Sequence, residues 1–94
     1  MAEVQYRLHA LRQMVERGIS VSQVQQVLTH GEVVEEARRA GRPYPTRLLL
    51  GWSHDRPLHV LVAAAPEGSQ YVITAYKPSL DRWEGDYRTR KERP

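Results

Sequence analysis

Residues 47–76 read RLLLGWS (47–53), HDRP (54–57), LHVLVAAA (58–65), PEGS (66–69), QYVITAY (70–76). Leucine, β-branched and aromatic residues fill three runs, and Asp, Pro, Gly and Ser fill the two gaps. That pattern predicts three consecutive antiparallel strands over 46–53, 58–65 and 70–77, joined by tight turns. If Ser53 pairs with Leu58 and Ala65 with Gln70, then Leu50 faces Leu61, Trp52 faces His59, His59 faces Tyr76 and Leu61 faces Thr74. Side chains alternate across a strand, so this register sorts the sheet into two faces. One carries Leu49, Val60, Val62, Tyr71 and Ile73, and is apolar enough to seat helices. The other carries Leu48, Leu50, His59, Leu61, Val72 and Thr74, with a row Trp52–His59–Tyr76 at one end. A one-residue slip would move residues to the opposite face.

The preceding chain supplies the helices. Leu8, Leu11, Val15 and Ile19 recur at helical spacing and Gly18 suits a helix stop. Ser20 with Gln23 three residues later has the spacing of a capping box. A second helix then runs over about 21–29, with Val21, Val24 and Leu28 inward, and Gly31 ends it. Glu32–Ala37 reads as an edge strand, residues 38–45 as an Arg/Pro loop, and Val4–Leu8 as a possible further strand. The expected fold is α+β, with two N-terminal helices on one face of a twisted, mainly antiparallel sheet of about four strands.

Ninety-four residues make one domain over 1–94, and a chain this size buries roughly 60–70% of its unfolded surface. In the tail, Trp83 and Tyr87 lie four apart, which suits a short anchored helix or a docked aromatic pair. Residues 85–94 are expected as a flexible basic tail.

The absence of cysteine excludes disulfides, zinc–thiolate sites and thiol nucleophiles. The four histidines are scattered, so neither a metal nor another cofactor is expected. The N-terminus lacks the apolar core of a signal peptide and no run approaches a membrane span, so a cytoplasmic location with no membrane partner is expected. The net charge is +3, with Lys77 and Lys91 the lysines and arginine supplying the rest. Arginine presents a planar fork that matches phosphate, which points to nucleic acid or an acidic protein segment.

His9-Ala10, Met14, Glu16-Arg17-Gly18-Ile19-Ser20, Pro43-Tyr44-Pro45, Arg47–Trp52, Arg56–Val60, Tyr71–Tyr76 and Trp83 together resemble a small bacterial family, the domain of unknown function 4258. The likeness spans nearly the whole chain. That family is similar to the RelE/ParE-like (MqsR-like) toxins of bacterial toxin–antitoxin pairs. The resemblance implies the fold above and, on it, metal-independent cleavage of RNA, ribosome-associated mRNA included. It also implies a neutralising antitoxin partner, such as an MqsA-like protein with zinc and helix-turn-helix domains. The family usually has Arg four residues after the first His; here Gln13 stands there.

Metal-independent RNA cleavage needs a base for the 2′-hydroxyl, a cation for the phosphorane and an acid for the leaving oxygen. The candidate catalytic residues are His59, Tyr76, Arg47, Arg17 and His9. His59 is read as acid or base on an open face, Tyr76 as its helper, Arg47 and Arg17 as an electrostatic clamp, and His9 as another proton carrier. The candidate RNA-binding residues are Trp52, for stacking, with Arg38, Arg39, Arg42, Lys77 and Arg88. Each has an ordinary alternative: His59 would be a strand histidine packed between two aromatics, and the arginines a solvated surface. The competing function is a non-catalytic RNA- or protein-binding module on the same fold.

Overall fold

The computed structural model describes residues 3–38, 40–41 and 43–92. The elements run β1 (Val4–Tyr6), α1 (Leu8–Arg17), α2 (Val21–His30), β2 (Glu32–Ala37), β3 (Thr46–Ser53), β4 (Arg56–Ala64) and β5 (Gln70–Tyr76). The sheet order is β1-β5-β4-β3-β2. The architecture is α+β, but the sheet has five strands rather than about four. β1 pairs parallel with β5, so the sheet is mixed, and the other pairings are antiparallel. Among the described residues no helix is long and apolar enough to cross a membrane.

Both helices cover one face of the sheet; α1 is turned from the expected stripe while keeping Leu11 and Ile19 against the core, and α2 keeps Val24 and Leu28 of its expected face. In α1 the buried residues are Ala10 and Met14, while Leu8 and Val15 are 63% and 82% exposed. The helix end decides this. Gly18 adopts φ 68°, its N–H donates to the Val15 carbonyl, and the Ile19 N–H donates to the Met14 carbonyl at 2.8 Å. This Schellman closure puts Ile19 against Met14, and both enter the core. Ala10 lies one turn earlier on the same stripe. In α2 the expected capping box forms: the Gln23 N–H donates to Ser20 Oγ and the Ser20 N–H donates to Gln23 Oε1. Val24 and Val27 point inward, whereas Val21 is exposed. α2 rests directly on β3 at Gly51, where an added Cβ would stand 2.6 Å from Val27 Cγ2.

The β3–β4 register differs from the expected one by two residues. Ser53 pairs with Arg56 and Trp52 with Pro57, so Leu50, not Trp52, lies opposite His59. The turn is only His54–Asp55, with φ 50° and 67°, the mirror-type turn that matches strand twist. Pro57 thus belongs to β4. It sits at a non-hydrogen-bonded pair and beyond the end of β5 opposite His59, so the ladder loses nothing. A two-residue shift preserves which face each residue occupies. In β5 the expected pairs His59↔Tyr76 and Leu61↔Thr74 form, but an irregularity follows, and Val62 pairs with Val72. One extra residue at Ile73 turns Val72 into the helix-side core and sends Tyr71 to the far face beside Ala63.

The far face is covered at one end by residues 79–92. Residues 85–94 were expected as a flexible basic tail, but 85–92 return across the face with the rest of this segment. Trp83 is only 2% exposed and bridges to Arg90, and Tyr87 meets Trp52 edge-on. Asp86 organises the turn by accepting from the Arg88 and Thr89 N–H groups, which hold its carboxyl below the usual range. The aromatic pair therefore docks without forming a helix.

Candidate functional site

His59 lies in mid-β4, opposite Tyr76 of β5. It was expected on an open face, yet it is fully buried. Trp83 packs edge-on at 4.5 Å between centroids, and the Tyr76 ring lies at 5.3 Å. Both imidazole nitrogens are bonded: Nε2 is 2.8 Å from the Tyr87 carbonyl and Nδ1 is 3.1 Å from the Tyr76 hydroxyl. A carbonyl only accepts, so Nε2 carries the proton. Nδ1 then accepts from the Tyr76 O–H. Burial lowers the His59 pKa, partly opposed by the Tyr87 carbonyl. Burial raises that of Tyr76, partly opposed by Arg90. Near pH 7 both are neutral, and the imidazole holds a phenol whose proton points inward. Tyr76 consequently shows solvent an oxygen lone pair.

Tyr76 lines two clefts. One, of 130 Å³, is lined by Glu35, Thr46, Leu48, Leu61, Tyr76 and Arg90. The other, of 370 Å³, is lined by Tyr76, Lys77, Ser79, Arg82, Trp83 and Arg90. Two cations of the second, Arg82 and Arg90, lie close enough to Tyr76 to oppose the rise in its pKa. Arg90 is the pivot. It lies over the Trp83 ring at 4.6 Å and grips Glu35 through Nε and Nη2 at 2.6 and 3.0 Å. A bulge between Val33 and Glu35 sets Glu35 beside Leu48, on the His59 side of the sheet.

The other expected site residues do not converge here. Arg17 donates from Nη1 to Thr74 Oγ1 at 3.2 Å and to the Ala75 carbonyl at 2.8 Å, tying α1 to β5. Gln13 accepts from the same threonine hydroxyl. Arg47 pairs with Glu36 at 3.2 Å, with its strand position on the helix side, so no clamp of Arg17 and Arg47 forms around His59. His9 is exposed on α1 and Arg38 is exposed after β2. Arg88 is ion-paired with Glu32. Trp52 is 51% exposed at the edge of the covered patch. Lys77 lines the Tyr76 cleft, but its ammonium stands beside Gly18 at the end of α1, 3.9 Å from where a Cβ would be. Arg39 and Arg42 lie outside the described residues.

Glu35 and Arg82 were missed as site residues. A signal existed: Arg88 and Arg90 alternate along the tail as charged residues do along a strand, and acidic residues crowd 32–36.

The family described as "Domain of unknown function (DUF4258)" matches residues 6–77. The chain belongs to this family. No curated protein and no solved structure matches it. The matched part of the DUF4258 domain contains both His59 and Tyr76. Arg82, Trp83, Tyr87 and Arg90, which enclose the pair, lie beyond the match.

Proposed function

We propose that this DUF4258 domain is the toxin of a bacterial toxin–antitoxin pair, a metal-independent endoribonuclease that uses Tyr76 rather than His59 at the substrate. The resemblance to RelE/ParE-like toxins supports the reaction class. One observation carries the assignment of residues: Tyr76, its hydroxyl bonded to His59 Nδ1, lines a cleft together with Arg82 and Arg90.

In this reading Tyr76 Oη takes the proton of a ribose 2′-hydroxyl while its own proton passes to His59 Nδ1. The 2′-oxygen forms its bond to the adjacent phosphorus, and the bond from phosphorus to the 5′-oxygen breaks. The products are a 2′,3′-cyclic phosphate and a 5′-hydroxyl, whose proton comes from water in the open cleft. Arg82 and Arg90 stabilise the added charge on the phosphorane. The Tyr87 carbonyl and Glu35 support the transient imidazolium against burial, the larger effect, and against Arg90, so it returns its proton quickly. An antitoxin with an acidic segment would compete for the same cations.

A second reading, a non-catalytic RNA- or protein-binding module, is favoured by one fact: His59 is fully buried with both nitrogens bonded, as a structural histidine would be. End-group analysis separates the two. Purified protein is incubated with mixed RNA in excess EDTA and the fragments are tested for 2′,3′-cyclic phosphate. Such ends, absent when the RNA carries 2′-O-methyl groups, support the nuclease. Intact RNA, both alone and on translating ribosomes, sinks it in favour of the binding module.

A further inference from the structure

At the other end of the same sheet face is a recess that the Tyr76 chemistry does not use. It has a volume of 290 Å³ and is lined by Arg7, Pro43, Tyr44, Ala63, Tyr71 and Ile73. Tyr44, from the loop before β3, and Tyr71, from β5, hold their rings nearly parallel, with 3° between planes and 6.2 Å between centroids. The bulge at Ile73 is what brings Tyr71 to this face. Ala63, its cross-strand partner, lies four residues along β4 from His59, the partner of Tyr76. At ~3.3 Å per residue the two tyrosine sites are about 13 Å apart along the strand.

We infer that Tyr44 and Tyr71 form a stacking subsite for a base of single-stranded RNA whose scissile nucleotide lies at Tyr76. The inference rests on the RNA reading above. Flat, parallel aromatic faces select a flat ligand, and stacking on them tolerates any base. Cations stand at both ends of the track, Arg7 here and Arg82 with the Glu35-held Arg90 at the other, which favours a polyanion that carries flat groups. About 13 Å corresponds to roughly four stacked nucleotides at ~3.4 Å each, and to fewer in an extended strand. Between the two sites run Leu48 and Leu61, with Thr46, Glu35 and Arg90 lining the same cleft. Stacking reads the occupied base by its face rather than by its edge, so the subsite extends the footprint without adding sequence preference.

The test uses the full chain and short single-stranded RNAs with 2′-O-methyl ribose, which bind without being cut. Affinity is measured by fluorescence anisotropy for the wild type, Tyr71→Ala, Tyr71→Leu and Tyr71→Phe, with folding checked by thermal melts. Tyr71→Phe keeps the ring and should bind as the wild type does. Tyr71→Leu keeps apolar bulk but no aromatic face, and should weaken binding by about tenfold, as Tyr71→Ala should. An RNA with one abasic position up to four nucleotides from the cut should bind the wild type and Tyr71→Leu equally. If the wild type binds and Tyr71→Leu binds equally well, the subsite is wrong while the RNA reading stands. If the wild type binds no RNA, both fall.

Discussion

Replacing Trp83 by Ala probes how the segment 79–92 makes the site. Trp83 is 2% exposed, and its ring lies against His59 on one side and under Arg90 on the other. A Trp side chain buries about 150–250 Å². At ~25 cal/mol/Å² that is about 4–6 kcal/mol, an upper estimate because the unfolded chain already hides some area. Large aromatic truncations in cores cost about 3–5 kcal/mol. Here the cost has a ceiling. If it exceeds the free energy that docks residues 79–92, the segment detaches instead of keeping a cavity, and His59 is wetted. The expected result is a melting temperature lower by ~10 °C or more, at ~4–8 °C per kcal/mol for a domain of this size. The His59 pKa, followed by NMR of the imidazole, should rise toward ~6.5 because burial is the largest cause of its depression. A Trp83→Ala protein that melts within about 2 °C of wild type, with His59 still depressed, would refute this reasoning.

Two further outcomes are expected. The folded-state His59 pKa lies below its unfolded value, so in the window beneath ~6.5 the unfolded chain binds the extra proton and stability falls as pH falls. Urea midpoints at pH 7.5 and 5.5 should differ more in wild type than in His59→Gln, and equal differences would contradict it. Gly51→Ala drives a methyl to 2.6 Å from Val27 Cγ2 and should cost about 1–3 kcal/mol; chemical denaturation should show Val27→Ala relieving part of that cost, and strict additivity would argue against the contact.

What the sequence revealed was mostly local chemistry. The capping box at Ser20 and Gln23, the stop at Gly18, the β-strand runs and the His59–Tyr76 pairing follow from nearest neighbours, and the structure contains them. The rotation of α1 escaped because its most hydrophobic stripe, Leu8–Leu11–Val15, is not the stripe that the Schellman closure turns inward. The β3–β4 register escaped because His-Asp adopts a two-residue mirror turn more often formed by Asn-Gly or Asp-Gly, and Pro57 resembled a turn residue. The burial of His59 escaped because it depends on the returning segment 79–92, whose Trp83 packs on the ring and whose Tyr87 carbonyl bonds it from 28 residues along the chain, beyond any local pattern.

The central claim is that Tyr76, held by His59, meets the substrate. Its most direct test is the single-turnover cleavage rate of Tyr76→Phe, which removes one oxygen atom and leaves the ring, in EDTA and at saturating protein. The account predicts a fall of about 10²–10⁴-fold with RNA affinity within about threefold of wild type. Cleavage by Tyr76→Phe at the wild-type rate would contradict it and move the chemistry away from this pair.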